Sequence, residues 1–120
     1  MKKINTQNDL QQAYDLPQEV QETIAYIVKM LDINYGTERD SDSDGGYVVL
    51  LENTDDMALL EEELGIDLES DATPEYVETI PTSTGKTFTN TLILFNNECG
   101  ITILMPLEIT PDNLKEYIVD

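Results

Sequence analysis

Asp40-Ser41-Asp42-Ser43-Asp44-Gly45 places three carboxylates at alternate positions ahead of a glycine. Oxygen ligands spaced in this way converge on a hard divalent cation such as calcium, and the glycine makes the turn that lets them meet. Asp40, Asp42 and Asp44 are therefore the candidate metal ligands. Few other residues in the chain have reactive chemistry to offer. There is no histidine, no tryptophan and one cysteine, Cys99. Lacking histidine, the chain cannot host a Ser-His or Cys-His nucleophile, a histidine general base or the usual zinc and iron sites. A lone thiol cannot form a metal-thiolate cluster. Carboxylates are plentiful, but an acid–base pair needs two of them in environments that separate their pKa values. Most of these acids read as solvated, and the expectation is a protein that is not an enzyme.

The hexapeptide at 40–45 resembles the opening of an EF-hand calcium loop. The likeness covers six residues. The twelfth position counted from Asp40 is Leu51, where that loop carries a bidentate glutamate; Glu52 comes one residue late, and a strand pattern rather than a helix follows. A solvated acidic connection that binds cations weakly is the plainer reading. Ser83-Thr84-Gly85-Lys86-Thr87 resembles the end of a phosphate-binding P-loop. Ile80 stands where that motif requires its first glycine, and Phe88-Thr89-Asn90-Thr91 is β-rich where a helix should begin. The segment reads as a polar turn.

Charge is the most uneven property of the 120 residues. The net charge is −19. Between Gly36 and Pro81 lie fifteen of the 25 acids, with Arg39 as the one base, a local charge of −14. The flanking segments are nearly balanced. Like charges crowded on one part of a fold repel each other and weaken it. Three readings follow: the charge serves solubility, it binds calcium, or it recognises a basic surface on another protein. In the strongest form of the third, carboxylates stand in for nucleic-acid phosphates. The candidate partner-binding residues are Asp40, Asp42, Asp44, Asp55, Asp56, Glu61, Glu62 and Glu63. Direct contact with nucleic acid or an anionic membrane is disfavoured, because both need Lys and Arg. In size, charge and lack of catalytic groups the chain resembles small acidic inhibitors of restriction or CRISPR enzymes. That resemblance is one of composition and transfers no residues.

The elements that must carry these groups follow from periodicity. Val20, Ile24, Ile27 and Leu31 recur at helical spacing, predicting a helix over about 17–34 that opens at Pro17 and stops at Gly36. Tyr47 to Leu51 reads as a buried strand. Thr54 is the expected cap of a second helix, with Asp55 and Asp56 in its first turn, Met57, Leu60 and Leu64 on one side and Gly65 as stop. Glu61-Glu62-Glu63 conflicts with the dipole at that end, and a strand is the alternative for this segment. Strands are expected over 75–80, 88–95 and 101–105, with a hairpin loop at 96–100. Thr110-Pro111 opens a short last helix with Leu114, Tyr117 and Ile118 facing inward. Residues 1–15 are polar and expected to fray.

The result is one α+β domain over 1–120: a three- to four-stranded, mainly antiparallel sheet backed on one face by the N-terminal helix and a short C-terminal helix. The expected core is Val20, Ile24, Ile27, Leu31, Val49, Leu51, Leu92, Leu94, Ile101, Ile103 and Leu114. One cysteine, no signal-like apolar stretch in the first 30 residues and no long apolar run point to a soluble, cytoplasmic protein.

Overall fold

Two alternating apolar faces on the central strands organise the molecule. The computed structural model describes residues 2–4, 7–13, 15–35, 47–65, 67–68, 73–95 and 99–118. In chain order these form β1 (Lys2–Ile4), a 3-10 helix (Gln7–Ala13), α1 (Gln18–Tyr35), β2 (Tyr47–Leu50), α2 (Thr54–Leu64), β3 (Pro74–Pro81), β4 (Thr87–Phe95), β5 (Cys99–Pro106), a 3-10 turn (Leu107–Ile109) and α3 (Asp112–Lys115). The five strands make one sheet in the order β1-β2-β5-β4-β3. All neighbours run antiparallel except β2 and β5, which are parallel and pair Val49 with Ile103. The α+β class and both flanking helices agree with the sequence. The sheet has five strands rather than three or four, because the polar Lys2-Lys3-Ile4 joins as a short edge strand on β2.

Helices cover both faces, not one. Successive strand residues point to opposite sides. Val49, Leu51, Val77, Ile93, Ile101, Ile103 and Met105 therefore pack with Met57 and Leu60 of α2, Leu68, and Leu114 of α3. Val48, Leu50, Phe88 and Leu104 pack on the other side with Ile4 and with Val20, Ile24 and Val28 of α1. A run such as Val48-Val49-Leu50-Leu51 with no polar alternation is what two covered faces require. Of the expected core, Ile27 and Leu31 are half-buried against the α1 side. Leu92 is also half-buried, because it lies on the α1-facing side of β4 near the open β3 edge.

The helix termini follow side-chain chemistry closely. Asn53, not Thr54, caps α2: its Oδ1 accepts the Asp56 N–H at 2.9 Å. At the other end Gly65 adopts φ 68°, and its N–H closes on the Glu61 carbonyl at 2.9 Å. A left-handed residue there favours glycine. Residues 82–86 form the β3–β4 hairpin turn, with Gly85 at φ 86°. A strand follows, as the sequence required, so no phosphate-binding helix exists there. In α3 only Leu114 is fully buried; Ile118 is half-buried and Tyr117 faces solvent, contrary to expectation. The turn into α3 is held by Thr89, whose hydroxyl lies 2.9 Å from that of Thr110, and Asn113 Nδ2 donates to the Leu68 carbonyl at 3.0 Å. Among the described residues no helix is long and apolar enough to cross a membrane.

Candidate functional site

Asp40, Asp42 and Asp44 lie outside the described residues. The remaining five candidate residues sit on α2, where the 3.6-residue period sends them in different directions. Asp56 is 8% exposed. Its Oδ2 accepts the Glu52 N–H at 2.9 Å while its own N–H donates to Asn53 Oδ1, a relative of the capping box in which the carboxylate reaches the residue before the cap rather than the cap itself. Burial works against its charge, but hydrogen bonds from backbone amides and a nearby positive charge outweigh it and hold the carboxyl below the usual aspartate range. Glu61 is half-buried, and its Oε2 accepts the Leu68 N–H at 2.9 Å, tying the chain after α2 to the helix. Glu63 pairs with Lys3 across to β1 at 2.9 Å. Asp55 and Glu62 face solvent, one on either side of Leu59, which is 52% exposed. The glutamate run therefore does not present three carboxylates to one partner. Reversing all three charges would damage the fold as well as any interface.

Nearby carboxylates are occupied in the same way. Lys2 bridges Glu52 at 3.2 Å and Asp15 at 3.5 Å, and the Glu52 hydrogen bond raises the lysine's pKa. Lys86 pairs with Glu108, and Lys115 with Asp112.

A second acidic region was not singled out by the sequence. A cleft of about 770 Å³ opens between α1 and the β3 edge of the sheet. Its helix wall carries Glu19, Glu22 and Tyr26; its strand wall carries Tyr76 and Glu78, with Asn90 of β4 behind them. Glu19 Oε2 accepts the Ser83 N–H at 2.8 Å, which fastens the hairpin turn to the start of α1. The backbone N–H groups of Glu19 and Ser83 hold its carboxyl below the usual range. Glu22 Oε1 accepts from Gln18 at 3.1 Å. Burial, reinforced by the charge of Glu78, pushes the Tyr76 phenol up.

Asn90 stands directly across from Glu78 in the β3–β4 register. It is 4% exposed, and its Oδ1 has no hydrogen-bond partner. Buried polar atoms are normally satisfied, so an exception asks for a reason. The sequence did carry a signal: Asn90 is the one amide side chain in an otherwise apolar and threonine-rich strand. From Tyr26 (64% exposed) at the cleft, Met30 and Ile33 continue along the outer side of α1 as an apolar stripe. Among the described residues no group of three or more potential ligands comes together as a metal site.

Comparison with protein-family models, with curated proteins and with solved structures finds no match for this chain.

Proposed function

We propose that this chain is a non-catalytic binding module that engages a basic surface on another protein. The observation that carries the reading is the surplus of carboxylate over cation. The chain has 25 acidic and six basic residues. Four of those six, Lys2, Lys3, Lys86 and Lys115, are already in ion pairs within the fold. What remains toward solvent is overwhelmingly negative, including Asp55 and Glu62 on α2 and Glu22 and Glu78 beside α1. Such a surface accelerates encounter with a cationic partner and repels nucleic acid and anionic lipid. In the finer form of this reading the partner is a nucleic-acid-binding protein, and the acids, the 40–44 aspartates included, occupy its phosphate sites. A reducing cytoplasmic setting fits a single cysteine.

The test uses the intact chain as bait in host extract at about 50 and about 500 mM salt, a range over which charge-dominated contacts weaken strongly. Captured proteins are expected to be basic, to elute at the higher salt, and to lose nucleic-acid binding when the chain is added. A captured set with no bias toward basic proteins, or one indifferent to salt, defeats the reading. Asp55→Asn with Glu62→Gln is the variant pair that removes surface charge from α2 without touching its internal bonds.

A further inference from the structure

We propose that the outer edge of β3 takes a short, extended, lysine- or arginine-bearing segment of a partner protein as an added strand. The proposal rests on the function proposed above for the existence of a basic partner. It adds which backbone reads that partner and in what conformation the partner is read.

The argument begins with the sheet order. β3 is an outermost strand, so one side of its backbone has no neighbour in the sheet. Such an edge presents N–H and C=O groups to any extended chain. The register identifies them. Pro81 stands across from Thr87 and has no N–H to give, so these two residues do not exchange hydrogen bonds. Bonded and non-bonded pairs alternate along an antiparallel ladder. Ile80 and Glu78 therefore bond to β4, whereas Thr79 and Val77 direct their backbone groups outward. At Val77 an extended backbone already lies against this edge: Ile118 forms an isolated parallel bridge with it. Among the described residues no ladder continues from that bridge, and none takes up the outward groups of Thr79.

The side chains select the occupant. Glu75 and Glu78 are exposed, and among the described residues neither is paired with a cation. A second copy of β3 laid along the edge would bring its own two carboxylates beside these, and like charges facing across strands are destabilising. The same charges favour a strand that carries lysine or arginine at the facing positions. Pro74 and Pro81 bound the open stretch, and neither has a donor with which to extend the pairing. In such strand addition main-chain hydrogen bonds supply affinity and alternate side chains supply selectivity.

The experiment titrates the full chain with three blocked hexapeptides and follows backbone amide exchange by NMR. The first alternates lysine with valine. The second is the same peptide N-methylated at every residue, which keeps the charge and side chains and removes the main-chain donors. The third has glutamate in place of lysine. The lysine peptide is expected to bind saturably, to slow exchange of the Thr79 amide at least about tenfold, and to shift the Ile118 resonances as the bridge gives way. The N-methylated peptide should bind at least about tenfold more weakly, and the glutamate peptide more weakly still. Thr79→Pro deletes the outward donor at an edge position, where proline is tolerated, and should weaken the lysine peptide by a similar factor. Glu75→Gln with Glu78→Gln, both at exposed positions, should weaken it several-fold, which keeps the test independent of how Thr79→Pro folds. Asp55→Asn with Glu62→Gln on α2 should change it far less.

Equal binding of the N-methylated or the glutamate peptide, an unprotected Thr79 amide at saturation, or no saturable change overturns the proposal. Protection of Thr79 that grows with protein concentration in the absence of peptide makes a second copy the occupant and overturns it as well. The two readings fail separately. Salt-sensitive capture that is indifferent to Thr79→Pro and to the Glu75 and Glu78 variants removes the strand edge and keeps the basic partner. A saturable lysine-peptide titration with no basic protein captured removes the partner and keeps the edge.

Discussion

α2 and the α1–β3 cleft are both acidic, and they use their acids differently. On α2 the charge is consumed by the fold: Asp56 closes the helix N-terminus, Glu61 holds the Leu68 amide and Glu63 neutralises Lys3. Beside the cleft, one oxygen of Asn90 and one of Glu19 are buried without a hydrogen-bond partner, while Glu22 and Glu78 face solvent. The denser cluster in the sequence thus offers less free charge than its acid count implies. Acid count along the chain measures potential charge; what is available to a partner is the residue left after helix caps, backbone amides and lysines have taken their share. A helix makes this division unavoidable, because consecutive side chains are separated by about 100°.

The largest expected effects break the α2 side of this comparison. Asp56→Ala removes the acceptor for a backbone amide at the helix start and should cost about 1–2 kcal/mol in a denaturant titration. Glu61→Lys strands the Leu68 N–H and should cost about 1–2 kcal/mol as well. Glu63→Lys loses an exposed pair with Lys3, about 0.2–1 kcal/mol. Glu62→Lys should lie within about 0.5 kcal/mol of the parent and tend to stabilise, since a cation suits the end of a helix. If the three glutamates instead give equal effects, the run acts through net charge alone and the division drawn here is wrong.

Acid should separate the two kinds of carboxylate. Glu19 and Asp56 are held below their ordinary values of 4.5 and 3.8. A lowered native pKa means that the folded state binds fewer protons, so its contribution is intact above the ordinary value and is lost as pH falls through the native one. The exposed acids act in the opposite sense, because protonating them relieves repulsion in a chain of net charge −19. Melting temperature should therefore rise modestly from neutral pH toward about pH 5 and fall steeply below about pH 4. Added salt should reproduce the rise by screening, but not the fall. Asp56→Asn should flatten the acid limb. A monotonic loss of stability from neutral pH downward would mean that repulsion contributes little.

How far the sequence disclosed this arrangement depended on the kind of information each element uses. α1 was legible from Val20, Ile24, Ile27 and Leu31, because amphipathic periodicity is local. The end of α2 was legible from Gly65, since a left-handed cap is a single-residue demand. β1 was not, because Lys2-Lys3-Ile4 is a strand only by virtue of the β2 edge it meets. The covering of both sheet faces was implicit in Val48-Val49-Leu50-Leu51, yet continuous apolar runs do not say which layers cover them. The cleft was hidden for the same reason. Glu19, Tyr26, Tyr76, Glu78 and Asn90 come from three elements, and their proximity is a product of the β3–β4 register and the packing of α1. The 40–44 aspartates, the most legible motif of all, lie outside the described residues.

The smallest predicted effects give the sharpest contrast, because they compare two adjacent residues. Asn90 and Thr91 are both buried on β4, and each has a side-chain oxygen without a partner. They point to opposite faces of the sheet. Thr91 stands across from Val77 and Ile103, both buried in the cluster beneath α2 and α3, whereas Asn90 borders the cleft. Thr91→Val keeps the shape and removes an unsatisfied hydroxyl; it should be neutral to about 1 kcal/mol stabilising in a denaturant titration. Asn90→Leu should fall in the same stability range. Should Asn90→Leu lose about 1 kcal/mol or more, the amide supports the fold through its donor end, and its unpartnered oxygen is a by-product of that role.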